Sequence, residues 1–202
     1  LSGITGVWQN AFGGGNPPPA SGTVTGLGTS QVRWGDPSGQ PNKSGYNFGA
    51  VAGPLIYNLP PNTPIFSLGS FEHLNFPIDS GTSITGIQLK VTANVSIDGN
   101  DQGNKNFLFD FTHNETPNGA DPCANGGDNG DPPNQNGCAD SVKLAYNTDS
   151  EVFVVDGEEY TLNVFGFSMN SDGTNPFTEW WTAENKQNTA YLVANITLKD
   201  QV

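Results

Sequence analysis

The stretch IQLKVTANVSI, residues 87–97, decides the fold class, because apolar and polar residues alternate through it without a break. A period of two places one set of side chains on a buried face of a β-strand and the other set in solvent. We therefore predict a long strand with one face in a core. The apolar positions are Ile87, Leu89, Val91, Ala93, Val95 and Ile97.

The segment after this strand predicts its partner. In NFLFDF, residues 106–111, the three phenylalanines Phe107, Phe109 and Phe111 share one face. The connection DGNDQGNK, residues 98–105, is rich in turn residues. A short connection of this kind between two alternating segments predicts a long antiparallel pair.

A second hairpin is predicted within EVFVVDGEEYTLNV, residues 151–164. The dipeptide Asp156-Gly157 tolerates the two positive φ angles of a type I′ turn. In the resulting register Phe153 lies opposite Tyr160, and Val155 lies opposite Glu158. An aromatic pair across two strands stabilises the hairpin by a few tenths to about 1 kcal/mol.

The whole chain of 202 residues is predicted to be one all-β domain. No stretch has the 3.6-residue apolar period of a helix, although FTEWWTAENKQN could form one helical turn. We predict an antiparallel, jelly-roll-like β-sandwich of roughly ten strands with long Gly/Asn/Pro-rich loops. An N-terminal strand within 1–12 is joined to it by a Gly/Pro-rich linker, 13–22. The remaining predicted strands are 4–9, 22–27, 30–34, 64–74, 141–147 and 190–198.

The charge of the chain excludes several classes of partner. The formal net charge is −13, and Arg33 is the only arginine. Such a chain repels phosphate backbones and anionic membranes, so we expect no nucleic-acid partner. No apolar run is long enough to span a bilayer, so direct membrane insertion is not expected. Divalent cations remain suitable partners.

Several segments, taken in order, resemble the choice-of-anchor K domain, a family of bacterial surface proteins that includes cyanobacterial ones. The resemblance runs from about Gly6 to Leu198, and GSFEHLNFPI is its most specific part. It implies export and surface attachment, and no known catalysis. The chain departs from the family by ending at Val202 without an anchor. The segments are VRWG, SGYNF, FSLGSFEHLNFPI, FDFTHNETPN, CAD, GEEYTLNVFGF and FTEWWTAENKQNTAYLVANI.

The cysteines favour the same extracellular or cell-surface location. No signal peptide is present at Leu1, so we expect the numbering to start at a mature N-terminus. Cys123 and Cys138 enclose fourteen residues of a loop, 112–140, that has little to bury. In an exported protein this pair predicts a disulfide, with a stabilisation of about 3 kcal/mol.

The two histidines occur in a short internal echo, L-x-x-F-x-H-x-x-x-P, which begins at Leu68 and again at Leu108. We interpret His73 and His113 as parts of a strand-end motif, in which they cap exposed backbone groups. A zinc site formed by both histidines and both cysteines is the alternative, but no C-x-x-C or H-x-x-x-H spacing supports it.

Two segments rich in Asp, Asn and Gly suggest Ca²⁺ as a cofactor, because calcium prefers carboxylate and carbonyl oxygens. The segment that begins at Asp98 fails as an EF-hand, since Phe109 occupies the position of the final glutamate. The same residue types are also the standard turn residues, so this second interpretation stays open. The candidate ligands are Asp98, Asn100 and Asp101 in one segment and Asp121, Asp128 and Asp131 in the other, which also contains Asp140.

We predict a non-catalytic extracellular structural or adhesive protein, which could assemble with itself into filaments through its N-terminal strand. The first alternative is a carbohydrate-binding module that stacks surface glycans on Trp180 or Trp181. The second is a secreted hydrolase, which needs two facing carboxylates. The candidates for that pair are Glu72, Glu115, Glu179 and Glu184.

Overall fold

The chain folds into two antiparallel β-sheets packed face to face. The computed structural model describes residues 1–13, 24–58, 63–145 and 150–199. Strands make up 57% of the structure and helix 1%, so the predicted all-β sandwich is confirmed. Most of the predicted linker, from residue 14 to residue 22, lies outside the described residues. Within those residues no helix is both long and apolar enough to cross a bilayer.

The described residues form eleven strands. The five-stranded sheet has the order β1-β5-β6-β7-β10, and the six-stranded sheet has the order β2-β3-β4-β11-β9-β8. The strands are β1 (Ser2–Gly13), β2 (Gln31–Trp34), β3 (Ser44–Ala50), β4 (Phe66–Asn75), β5 (Ile84–Ile97), β6 (Asn100–Asn114), β7 (Asp140–Ala145), β8 (Phe153–Val155), β9 (Glu158–Ser168), β10 (Glu179–Thr182) and β11 (Lys186–Leu198).

The two hairpins predicted from sequence are present. β5 pairs with β6 along most of its length, and its alternate residues from Ile87 to Val95 are buried. β8 and β9 are joined by Asp156 and Gly157, which have φ angles of 51° and 88°. Phe153 lies opposite Tyr160 as predicted, with the two rings stacked at a centroid separation of 6.2 Å.

Three local predictions need correction. Residues 24–27 of the predicted strand 22–27 form no strand, and only Thr25 makes a bridge, to Arg33. The segment FTEWWTAENKQN forms strand β10 and the start of β11 rather than a helical turn, because Glu179–Thr182 pairs with β7. β3 was not predicted, since the glycines in SGYNFGA interrupt its alternation; it is inserted between β2 and β4.

Inward-facing aromatic rings from both sheets fill the middle of the sandwich. Phe71 of β4 lies at the centre of this packing, with ring centroids 5.3 Å from both Trp8 and Phe111 and 5.2 Å from Phe167. All four side chains are almost completely buried. The same inward-facing rows continue toward one end of the sandwich, where the residue types change from apolar to ionisable.

Candidate metal centre

Two histidines continue the inward-facing rows of β4 and β6. Two residues beyond the buried Phe71 comes His73, and two residues beyond the buried Phe111 comes His113. The strands belong to opposite sheets, so the two imidazoles meet across the interior, with ring centroids 5.2 Å apart and planes nearly perpendicular. His73 is 0% exposed and His113 is 5% exposed. Both therefore lie in the core.

Three carboxylates surround this pair. Asp140 is the first residue of β7, Glu115 directly follows β6, and Glu184 lies between β10 and β11. Asp140 and Glu184 are fully buried, whereas the Glu115 side chain keeps 20% of its exposure. We call these five residues, His73, His113, Glu115, Asp140 and Glu184, the His–carboxylate cluster.

The potential ligand atoms of the cluster form two overlapping groups of three. One atom each from His73, His113 and Asp140 lies within 4.8 Å of the others. The same limit holds for Glu115, Asp140 and Glu184, so Asp140 belongs to both groups. Ions that bind at about 2.0–2.5 Å hold neighbouring ligands about 3–4 Å apart. Small side-chain movements would therefore bring either group into coordination geometry.

Hydrogen bonds from neighbouring strands orient both imidazoles. The Tyr46 hydroxyl lies 2.6 Å from Nδ1 of His113, and the Thr182 hydroxyl lies 2.8 Å from Nδ1 of His73. These contacts leave Nε2 of each ring for another partner. Nε2 of His73 makes no hydrogen bond, although it is buried. Imidazoles that bind metals are commonly held in this way, through a hydrogen bond at the second ring nitrogen.

The carboxylates of Asp140 and Glu184 also have buried oxygens without hydrogen-bond partners. Oδ1 of Asp140 accepts a hydrogen bond of 2.7 Å from the backbone N–H of Thr116, whereas its Oδ2 has no partner. Neither carboxylate oxygen of Glu184 accepts a hydrogen bond of good geometry. A buried charged oxygen without a partner is strongly destabilising. The cluster therefore leaves several strong ligand atoms unsatisfied in the interior of the protein.

Burial raises the pKa of all three carboxyl groups. The pKa of Glu115 rises to about 7, because desolvation outweighs the hydrogen bond from the Ser83 hydroxyl. The pKa of Glu184 also rises to about 7, through desolvation and then the charge of Glu115. The pKa of Asp140 is raised well above its usual range by desolvation, followed by Glu115. Near neutral pH these groups are therefore at least partly protonated rather than fully charged.

Burial has the opposite effect on the imidazoles. The pKa of His113 falls to about 4, since desolvation outweighs the attraction of Asp140. The pKa of His73 is lowered well below its usual value by desolvation and then by His113. Both rings are neutral at neutral pH, which is the form that binds metals. The 3.4 Å contact between Nε2 of His113 and Glu115 is therefore not an ion pair at that pH.

The cysteines take no part in this cluster. Cys123 and Cys138 form a disulfide, as predicted. Bonded cysteines offer no thiolate, so the alternative zinc site of two cysteines and two histidines is wrong. The loop closed by the disulfide nevertheless connects to the cluster, since Glu115 precedes this loop and Asp140 follows it.

The carboxylates of the predicted calcium ligands do not converge. Asp98 lies in the turn between β5 and β6, and the carboxylate of Asp101 accepts hydrogen bonds from Asn94 and from the Gly103 backbone. The other three carboxylates are exposed on the loop that contains the disulfide. Among the described residues, no three of these carboxylates lie within 4.8 Å of one another. The other three carboxylates are those of Asp121, Asp128 and Asp131, and the sixth predicted ligand is Asn100.

The two tryptophans of β10 face opposite ways. Trp180 is 6% exposed and packs in the core, with its ring 5.6 Å from that of Phe167. Trp181 is half-buried and lines a shallow surface cavity of about 670 Å³, which Met169 and Pro132 also line. Trp180 also lines this cavity, but its low exposure leaves Trp181 as the tryptophan of β10 that is better placed to meet a ligand from solvent.

The histidines lie near strand ends, as the internal echo predicted, but their role differs from the prediction. Both rings face the interior and bond to side-chain hydroxyls rather than to exposed backbone groups. The periodicity already contained this information. Extending the alternation of Phe107, Phe109 and Phe111 by one step places His113 on the buried face. The predicted strand face ended at Phe111, one step short of His113.

The chain matches no protein-family model, and a search of curated proteins finds no match either. The resemblance to the choice-of-anchor K domain therefore stays a prediction.

Proposed function

We propose that the chain is a non-catalytic, exported surface protein that builds extracellular structure. The burial of its ionisable side chains carries this proposal. His73, Asp140 and Glu184 lie between the two sheets, where a substrate of any size could not contact them. A catalytic site, by contrast, requires access for its substrate.

The arrangement of the four candidate glutamates argues against a secreted hydrolase. Glycosidases place two carboxyl groups about 5–9.5 Å apart on either side of a sugar. Glu115 and Glu184 approach within 4.8 Å of Asp140 and of each other, and Glu184 is fully buried. Glu72 accepts a hydrogen bond of 2.7 Å from Asn47, and Glu179 is exposed on β10. Neither Glu72 nor Glu179 belongs to the group formed by Glu115, Asp140 and Glu184.

The N-terminal strand supports self-assembly as the finer form of the proposal. β1 lies at the edge of the five-stranded sheet and pairs there with β5. It carries Trp8, which is fully buried against Phe71 and Phe111. Gly6 lies so close to the ring of Phe48 that a Cβ atom would approach that ring to 2.3 Å. β1 therefore packs closely against the core, with Trp8 filling a space between the two sheets.

A strand that is followed by a linker can occupy this position in its own molecule or in a neighbour. The contacts of β1 with β5 and Phe71 are the same in both cases. The main free-energy cost of exchange is therefore the entropy lost when two molecules associate. The following sequence, GGNPPPASGT at residues 14–23, combines glycines with a proline run, a composition typical of linkers. If each molecule donates β1 to the next one, the contact does not close and a filament grows.

A pair of introduced cysteines tests the exchange. Gln9 of β1 and Gln88 of β5 lie opposite each other, and their side chains are joined by a hydrogen bond of 2.6 Å. In the double variant Gln9→Cys/Gln88→Cys, exchange would place the new disulfide between two chains. We expect a ladder of covalent oligomers on non-reducing gels at high protein concentration. The same experiment on protein below the assembly concentration should give cross-linked monomers.

The matched control pair is Thr92→Cys/Asn106→Cys. These residues of β5 and β6 are also bonded side chain to side chain, at 2.9 Å, but they belong to one hairpin. Their disulfide must form within one chain in every assembly state. If the β1–β5 pair gives only cross-linked monomers at all concentrations, β1 stays in its own sheet and the filament proposal fails.

Carbohydrate binding is retained as a second candidate because of Trp181 and its cavity. An exposed aromatic face beside a shallow cavity is suited to stacking on a sugar ring. Binding on a glycan array should be lost in Trp181→Ala and retained in Val154→Ala, a substitution of another exposed apolar side chain on a different strand. An array without a bound glycan would reject this candidate.

A further inference from the structure

The His–carboxylate cluster has the chemistry of a closed cation site. It combines two imidazoles with three carboxyl groups in an interior that offers them few other partners. In addition to its acidic residues, the cluster contains a fully buried imidazole whose Nε2 atom has no hydrogen-bond partner. Oδ2 of Asp140 is equally buried and equally unpaired. His73 and Asp140 belong to the same group of three residues whose potential ligand atoms lie within 4.8 Å of one another.

We propose that this cluster binds one divalent d-block cation, such as Zn²⁺ or Mn²⁺, through His73, His113 and Asp140. The ligand atoms are Nε2 of both imidazoles and a carboxylate oxygen of Asp140. Glu115 and Glu184 lie against Asp140 and supply further oxygen ligands and negative charge to the site.

The donor set selects the class of ion. Calcium takes six to eight oxygen ligands and has little affinity for imidazole nitrogen, whereas zinc and similar ions bind imidazole and carboxylate together. The residues behind the ligands fit the same class, because Tyr46, Thr182 and Thr116 hold the atoms that face away from the ion. Such outer contacts fix the direction of each ligand.

The position of the site gives the ion a structural role. His73 belongs to the six-stranded sheet, whereas His113 and Asp140 belong to the five-stranded sheet. One ion would thus join the two sheets at the polar end of the sandwich. Because Glu115 keeps some exposure, the ion would enter and leave on its side of the cluster. This inference does not depend on the exchange of β1.

The first test measures metal content and metal-dependent stability of the full chain. Protein isolated without chelator should contain about one zinc or manganese ion per chain by mass spectrometry. Removal with a strong chelator should lower the Tm, and one equivalent of Zn²⁺ or Mn²⁺ should restore it. Ca²⁺ at the same concentration should restore little. Stripped protein whose Tm does not respond to Zn²⁺ or Mn²⁺ would overturn the proposal.

Two variants remove a ligand atom and keep its supporting contact. Asp140→Asn retains the oxygen that accepts from Thr116, and His73→Asn retains a polar atom near Thr182. Both should weaken binding of the stabilising ion at least tenfold, in line with the loss of a direct ligand. Asp128→Asn and Asp131→Asn, in the exposed loop, are the matched controls and should bind normally. If the ligand variants bind as tightly as the wild type, the assigned site is wrong.

A measurement on the wild type keeps the proposal testable if these variants do not fold. The chain has only two histidines, so ¹H–¹⁵N spectra of the imidazoles report on both ligands directly. Addition of Zn²⁺ to stripped protein should shift the Nε2 resonances of both rings and leave Nδ1 protonated. Unchanged Nε2 resonances in the presence of saturating Zn²⁺ would overturn the assignment.

Discussion

The middle of the sandwich and its polar end are built on the same strands, yet they are stabilised in different ways. In the middle, β4 and β6 contribute Phe71 and Phe111, whose rings fill space and need no specific partner. Two residues further on, the same strands contribute His73 and His113, whose nitrogens require partners. The middle is therefore complete as a packed core, whereas the polar end is completed only by protons or by a cation.

The largest expected effect comes from breaking the middle. Phe71→Ala removes the ring that contacts Trp8, Phe111 and Phe167, and it leaves a cavity between the sheets. We expect a loss of about 3–5 kcal/mol in the free energy of unfolding, measured by urea denaturation. The loss should change by less than about 1 kcal/mol on chelation, because the ring reaches the proposed ligands only indirectly, through Tyr46, whose ring lies 5.0 Å away and whose hydroxyl contacts His113.

If the loss from Phe71→Ala changed by more than about 1 kcal/mol on chelation, the two regions would be energetically coupled. The packed middle and the polar end would then not be stabilised independently of each other.

The next largest effect is expected from removing the disulfide. Cys123→Ser/Cys138→Ser should destabilise the protein by up to about 3 kcal/mol, the chain-entropy estimate for a loop of this length. The sandwich should stay folded, because the long strands lie outside the loop. Since Glu115 and Asp140 flank this loop, the variant should also bind the stabilising ion more weakly. Hydrogen exchange and a zinc titration measure the two effects.

Rapid exchange throughout β5 and β6 in the disulfide-free variant would contradict the first expectation. Unchanged zinc affinity would show that the positions of Glu115 and Asp140 do not depend on the disulfide.

A smaller effect concerns the pH dependence of the stripped protein. The pKa of Glu115 and that of Glu184 are raised to about 7, above their usual values, so both groups stabilise the native state while protonated. That contribution is lost as the pH rises through about 7. The histidines have pKa values lowered from 6.5, so near pH 6.5 the unfolded state binds more protons at these two residues than the native state does. They therefore add a smaller slope of the opposite sign, which fades above about pH 7.5.

We therefore expect the Tm of stripped protein to fall by several degrees between pH 6.5 and pH 8. The metal-loaded protein should show no such fall, because the ion holds the carboxylates in their charged form. Glu184→Gln should reduce the fall in the stripped protein. A stripped protein that is equally stable at both pH values would contradict the protonation assigned to the cluster.

The smallest effect is expected in the exposed loop. Asp128 and Asp131 are exposed, and no three carboxylates converge around them. Asp128→Asn and Asp131→Asn should each change the free energy of unfolding by less than about 0.5 kcal/mol. Calcium should not change that result. A calcium-dependent stabilisation that is lost in either variant would instead support the calcium site predicted from the Asp and Asn residues of this loop.

The fold class could be predicted from the amino-acid sequence alone, because period-two alternation is a local property. The rows from Ile87 to Val95 and from Phe107 to Phe111 predict buried strand faces without reference to any other part of the chain. The turn at Asp156-Gly157 and the disulfide are local in the same sense, since each depends on residue types at a short fixed spacing.

The meeting point of the ionisable residues could not be predicted in this way, because it depends on how the two sheets pack. His73, His113 and Asp140 come from three strands that are far apart in the sequence, and Glu184 comes from a fourth region. Alternation assigns His113 to the buried face, but it does not tell which side chains of the opposite sheet face it. That depends on sheet order and on how the two sheets pack, which are set by the sum of many weak contacts along the whole chain.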